Sequence, residues 1–166
     1  MNKGGLEIER KFLISKPDVE NLKQKYNLSK TTITQIYLKS KDGTERRIRK
    51  RGNKGNFKCY YTEKKDVSNG VREESEHSIT LSEYNKLLSE IDPNKNAIRK
   101  DRYVFDYNGK TIEIDVYPFW VDKAILEVEL NSIDEELNIP SEIRIIKEVT
   151  DDKRYKNSSL ADNTDI

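Results

Sequence analysis

The side chains of this 166-residue chain that could do chemistry are charged, and they recur two residues apart. In the segments of alternating polarity, carboxylates stand at i and i+2 in four pairs, Glu7/Glu9, Glu74/Glu76, Glu113/Asp115 and Glu127/Glu129, and arginines do so at Arg47/Arg49. Residues two apart in a strand share a face, so each pair sets like charges side by side. Their repulsion calls for a counter-ion. Carboxylate clusters select hard divalent cations such as Mg²⁺ or Mn²⁺, while Arg and Lys select phosphate oxygens. A metal-bound polyphosphate satisfies both classes at once. Covalent chemistry has few candidates: the one histidine, His77, and the one cysteine, Cys59, read as ordinary strand residues.

Alternation of period two predicts the elements that position these groups, about eight strands. In residues 6–12, Leu6, Ile8 and Phe12 oppose Glu7, Glu9 and Lys11. In 34–40, Ile36 and Leu38 oppose Gln35, Tyr37 and Lys39. Segment 45–51 aligns Arg47, Arg49 and Arg51; 57–65 aligns Lys58, Tyr60, Thr62 and Lys64; 71–80 aligns Arg72, Glu74 and Glu76. Further on, 100–107 aligns Lys100 with Arg102, 110–117 Glu113 with Asp115, and 124–130 Glu127 with Glu129. Turn signals at Lys41-Asp42-Gly43, Gly52-Asn53-Lys54-Gly55, Ser68-Asn69-Gly70 and Asn108-Gly109 imply antiparallel pairing, the last most clearly because Asn-Gly tolerates the positive φ of a type I′ hairpin turn.

Three helices are expected. Segment 17–26 opens on Pro17 and spaces Val19, Leu22 and Tyr26 helically. Segment 80–91 carries a capping-box pattern, Thr80-Leu81-Ser82-Glu83, before an apolar stripe. Segment 140–149 sets Ile143, Ile146 and Val149 at i, i+3 and i+6. The polar tail 157–166 is expected to fray.

Charged residues make up 37% of the chain, against roughly 25% in average soluble domains. Yet 31 basic and 30 acidic side chains nearly cancel, so composition predicts neither disorder nor a general attraction to nucleic acid or membrane. The length fits one domain, 1–166. A single cysteine allows no internal disulfide, and no long apolar run or leader is evident, so a cytoplasmic location is expected. Closing eight strands into a barrel with the helices outside makes an α+β fold whose charged faces line a wet interior.

At these residues the chain resembles the CYTH superfamily, the triphosphate tunnel metalloenzymes. The resemblance rests on Glu7-Ile8-Glu9-Arg10-Lys11, matching Glu-x-Glu-x-Lys on the first strand, with Arg47-Ile48-Arg49, Thr62-Glu63-Lys64, Arg72 to Glu76, Lys100-Asp101-Arg102-Tyr103, Glu113-Ile114-Asp115, Glu127-Val128-Glu129 and a closing EVTDDKRYKNSSLA. It implies an eight-stranded tunnel acting on triphosphates with Mg²⁺ or Mn²⁺. By the same resemblance Glu7, Glu9, Glu127 and Glu129 hold metal, and Lys11, Arg47, Arg49, Lys64, Lys100 and Arg102 grip phosphates. Glu74, Glu76 and Asp115 bind a second metal or position the attacking water. Lys153, with Arg154, is placed at one tunnel mouth. The implied partner is a small-molecule triphosphate, with a homodimer left open.

Tripolyphosphate hydrolysis is the expected reaction. A class IV adenylate cyclase is an alternative, weakened because Asn2-Lys3-Gly4-Gly5 replaces that subgroup's His-Phe leader. A polyphosphate-binding domain without turnover is the other. Phe119 and Trp120 are expected to plug the fold rather than stack on a base.

Overall fold

The computed structural model describes residues 3–68 and 70–161. Its strands are β1 (Lys3–Ser15), β2 (Ser29–Lys41), β3 (Thr44–Asn53), β4 (Asn56–Ser68), β5 (Val71–Ile79), β6 (Ile98–Tyr107), β7 (Lys110–Val116), β8 (Lys123–Glu129) and β9 (Ile145–Glu148). The sheet runs β5-β4-β3-β2-β6-β7-β8-β1, and β1 returns to pair with β5, closing an eight-stranded barrel. Every pairing is antiparallel.

The expected strand set is therefore present, and two hairpins follow the predicted turn chemistry. Asn108 and Gly109 have φ of 51° and 74°, and Asp42 and Gly43 have 51° and 72°. Positive φ at both central residues defines the type I′ turn, whose twist suits the flanking strands. The turn signal at Ser68-Asn69-Gly70 includes Asn69, which lies outside the described residues.

Helix α1 (Val19–Lys25) starts two residues later than expected, at an N-cap whose Asp18 side chain accepts from the Asn21 amide. Helix α2 (Leu81–Leu87) has the predicted capping box, with Thr80 and Glu83 each accepting the other's backbone N–H, and ends in a 3₁₀ turn, Leu88–Glu90.

The expected helix over 140–149 is absent; the segment instead forms a turn and strand β9. Its apolar residues do not share a face: Ile143 joins the outer core, Val149 joins a cluster at the barrel floor, and Ile146 is 51% exposed. The cause is β1. Strand β5 pairs only with Lys3 to Ile8, so the far half of β1 has a vacant edge, which β9 occupies opposite Phe12 to Ile14. The β-branched run favours extension. The tail is also more ordered than its polarity suggests through Ala161: Asn157–Leu160 forms a short helix, α3, and Leu160 and Ala161 are fully buried.

Apolar residues gather in three clusters. One covers the outside of β1, β8, β7 and β6, where Phe12, Phe105, Ile112, Ile114, Leu126 and Val128 meet Leu22 of α1. A second joins Leu38, Ile48 and Cys59 to Tyr84 of α2. Each fully buried side chain of this size contributes about 1.5 to 3 kcal/mol. Stability thus comes largely from outside the barrel and leaves the interior free for charge.

The third cluster closes one end of the lumen. Leu13, Tyr37, Ile98, Tyr117 and Ile125 point inward there, and Trp120, Val149, Tyr155, Leu160 and Ala161 pack beneath them.

Candidate functional site

Alternation carries the charges of seven barrel strands into one cavity of about 120 Å³, room for several waters. Its described lining includes eight basic side chains (Lys11, Arg47, Arg49, Arg51, Lys64, Arg72, Arg102, Lys156) and eight acidic ones (Glu7, Glu9, Glu45, Glu74, Glu76, Glu113, Glu127, Glu129). The two signs balance in number but not in position.

On the β6–β7 wall the charges are mutually satisfied. Arg102 grips Asp115 through two hydrogen bonds of 2.7 and 2.8 Å, and Lys100 adds a third at 2.7 Å. Lys100 Nζ also lies 3.4 Å from Asn157 Oδ1, which Tyr117 OH bonds as well. Burial alone raises the Asp115 carboxyl, but Arg102 and Lys100 outweigh it and hold the group well below the usual carboxylate range. Lys100 is pushed down to about 7 by burial, against the pull of Asp115. Neither Asp115 nor Lys100 lines the cavity, whereas Arg102 does.

On the β1–β8 wall like charges meet. Register places Glu9 directly opposite Glu129, and Glu127 opposite both Lys11 and, across β7, Glu113. Directly opposed like charges are destabilising. Lys11 relieves Glu127 at 3.4 Å and Arg102 relieves Glu113 at 3.0 Å. Among the described residues neither Glu9 nor Glu129 has an ion-pair partner. Burial and the charge of Glu127 push the Glu9 carboxyl up to about 8.

The β3–β4–β5 wall carries the guanidinium groups. Arg49 donates to Glu76 Oε2 at 2.7 Å, and Thr62 Oγ1 reaches the same oxygen at 2.9 Å. Lys64 bonds Glu7 at 2.9 Å and stands 3.8 Å from Glu74. Burial, and then the neighbouring Glu7 carboxyl, raise Glu74 to about 7. Arg47 and Arg49 are 5% and 4% exposed, yet the Nε of each lacks a hydrogen-bond partner. A buried donor without a partner is costly, and an anion in the lumen would supply one.

Of the residues expected at the site, Glu7, Glu9, Lys11, Arg47, Arg49, Lys64, Glu74, Glu76, Arg102, Glu127 and Glu129 share the cavity. Lys153 lies apart, in an adjoining chamber. Arg154 is exposed and bonds Asp152. Glu45, Arg72 and Lys156 also line the cavity, although the sequence assigns them no role there. Glu45 stands two residues before Arg47 and Arg72 two before Glu74, so period two carried a signal for both. Lys156 enters from the irregular C-terminal segment, where no periodicity could mark it. His77 packs against Tyr61 and lines no cavity described here, and Cys59 is a buried free thiol.

The donor set fits a divalent cation. Unpaired, opposed carboxylates are hard oxygen donors, but among the described residues no three acidic side chains form a closed metal cage. That pattern suits a cation held by one or two carboxylates together with substrate phosphates and water, as is usual for Mg²⁺.

A model of the CYTH domain matches residues 5–159. The chain belongs to the CYTH domain family. The CYTH chain is 31% identical over 160 residues to a protein of Acetivibrio thermocellus named inorganic triphosphatase, covering 96% of this chain and 95% of that one. A protein of the same name from Nitrosomonas europaea is 31% identical over 159 residues, covering 93% and 96%. The crystal structure of the inorganic triphosphatase NE1496 superposes with a TM-score of 0.57 at 30% identity, covering 94% of each chain. Among the described residues no helix is long and apolar enough to cross a membrane.

Proposed function

We propose that this CYTH protein hydrolyses inorganic tripolyphosphate to pyrophosphate and orthophosphate inside the barrel, with Mg²⁺ or Mn²⁺. The observation that carries the reading is the division of the lumen. Unpaired carboxylates at Glu9 and Glu129 stand on one wall, and buried guanidinium donors without partners at Arg47 and Arg49 stand on another. The 31% identity to two inorganic triphosphatases over nearly the whole chain supports it.

Glu9 and Glu129 would hold the cation together with substrate phosphates and water, with Glu127 and Glu7 beside them on the same lining. When bound, it neutralises phosphate charge that builds as the anhydride breaks. Arg47, Arg49, Lys11, Lys64 and Arg102 orient the chain and balance charge on the transferring phosphoryl group. Both hydrogen bonds to Glu76 end on Oε2, which leaves Oε1 to accept from an attacking water. Water oxygen attacks phosphorus, the bridging oxygen departs with pyrophosphate, and the water's proton passes to solvent or phosphate.

The plugged floor favours an inorganic substrate. Tyr117, Phe119 and Trp120 pack on one another with ring centroids 5.0 to 5.4 Å apart, and Tyr117 and Trp120 are 1% and 4% exposed. Their faces are occupied by each other and offer no slot for a base.

Phosphate release from tripolyphosphate and from ATP, with Mg²⁺ or Mn²⁺ and with cyclic AMP monitored, tests the reading. Release from tripolyphosphate that EDTA abolishes is expected. Cyclic AMP from ATP would make the protein a cyclase, and no turnover of either would leave a binding domain.

A further inference from the structure

Beside the lumen lies a second chamber of about 160 Å³, between the β4–β5 hairpin and the C-terminal segment. It shares Glu9, Lys11, Arg72 and Lys156 with the lumen and adds Asp66, Asp151 and Lys153. The shared lining sets it directly beside the cavity.

Its cations are incompletely satisfied. Asp66 is the shared anion: Lys156 Nζ reaches it at 2.5 Å and Arg72 Nε stands 3.0 Å away. The Arg72 contact is close enough for an ion pair but not aligned for a hydrogen bond, so that buried Nε remains without a partner. The Asp66 side chain is 52% exposed and that of Lys156 28%, and exposed pairs are individually weak. Arg72 keeps a second partner in Glu45, 3.3 Å from its other end, so Asp66 occupies, imperfectly, the place where an anion with more oxygens could bond the Arg72 Nε, Lys156 and Lys153 together.

We propose that this side chamber is a second anion subsite that takes orthophosphate, with the Asp66 carboxylate as the internal anion that phosphate displaces. It deepens the triphosphatase reading by giving the smaller product its own seat and exit. The cleaved phosphate can then leave without waiting for pyrophosphate to clear the lumen.

The test titrates inorganic phosphate, without divalent metal, into the full chain and into D66N and K156Q, followed by calorimetry. Asp66→Asn frees two cations and is expected to tighten binding by up to about five-fold, the scale of one exposed ion pair. Lys156→Gln removes a ligand and is expected to weaken it. Both variants break the same pair, so any shared loss of stability cannot produce opposite signs. Changes in the same direction, no change, or no binding by the wild type would overturn the proposal. A linear polyphosphate longer than three units is titrated in parallel; a split confined to that chain makes the chamber a seat for a chain end and also overturns the assignment. Because no turnover is measured, the split stands or falls separately from hydrolysis, which the tripolyphosphate assay decides.

Discussion

The β6–β7 and β1–β8 walls of one barrel treat their carboxylates in opposite ways: Asp115 is buried, Glu9 half-buried and Glu129 exposed. Asp115 receives three charge-assisted hydrogen bonds from Arg102 and Lys100 and is sealed from the cavity. Glu9 faces Glu129 across β1 and β8 with no cation paired to either among the described residues. The first arrangement is complete within the chain and serves to fix Arg102. The second is incomplete until a ligand arrives. Charge in a barrel is thus no guide to role; whether the charge is already satisfied is.

Four experiments can break or sharpen that contrast. The largest effect is expected from Asp115→Asn, which keeps the shape and removes the charge that Lys100 and Arg102 share. Breaking a buried ion pair costs about 3 to 5 kcal/mol, and denaturant unfolding should register a loss on that scale. A loss below about 1 kcal/mol would show that the network is not structural.

Glu129→Gln leaves the fold intact on this account and removes a cation ligand. Metal-dependent turnover of tripolyphosphate should fall about 100-fold or more, with some phosphate affinity retained. Unchanged turnover would remove Glu129 from the metal set.

Acid provides the third probe. Asp115 titrates lower in the folded chain than in the unfolded one, so below about pH 4 the unfolded state binds more protons. Its stabilisation is fully present above that value and is lost as pH falls further. Unfolding free energy between pH 5 and pH 2.5 should decline less steeply in D115N than in the wild type. Parallel declines would mean that other groups carry the acid sensitivity.

The smallest effect, of opposite sign, is expected from Glu9→Gln. Above about pH 8, where Glu9 carries its charge, removing one of two opposed like charges should stabilise the metal-free protein by about 0.2 to 1 kcal/mol. A clear destabilisation in thermal melts without metal would show that Glu9 has a partner in the folded chain.

Much of this contrast was legible in the sequence because side chains alternate strictly along a strand. The pairs Glu7/Glu9, Arg47/Arg49 and Glu127/Glu129 needed only period two to share a face, and closure sends that face inward. The difference between Asp115 and Glu129 was not legible. Both belong to acidic i, i+2 pairs, and only cross-strand register sets Arg102 opposite Asp115 and Glu9 opposite Glu129. Register also explains the misread segment 140–149, whose helical spacing yielded to the vacant edge of β1. Lys156 was invisible for a related reason: an irregular segment is placed by its contacts, here Asp66 and the floor cluster, and not by its pattern.

The most direct test of the divided lumen is thermodynamic coupling between its two ligands. Tripolyphosphate binding to a slow variant, E129Q excluded because it removes the metal wall, should be measured with Mn²⁺ and with EDTA. Glu76→Gln suits the purpose, since it leaves the carboxylates of β1 and β8 in place. Metal is expected to tighten tripolyphosphate binding, and tripolyphosphate to tighten metal binding by the same factor. Equal affinity with and without metal would contradict it, because the carboxylates of β1 and β8 would then play no part in holding the substrate.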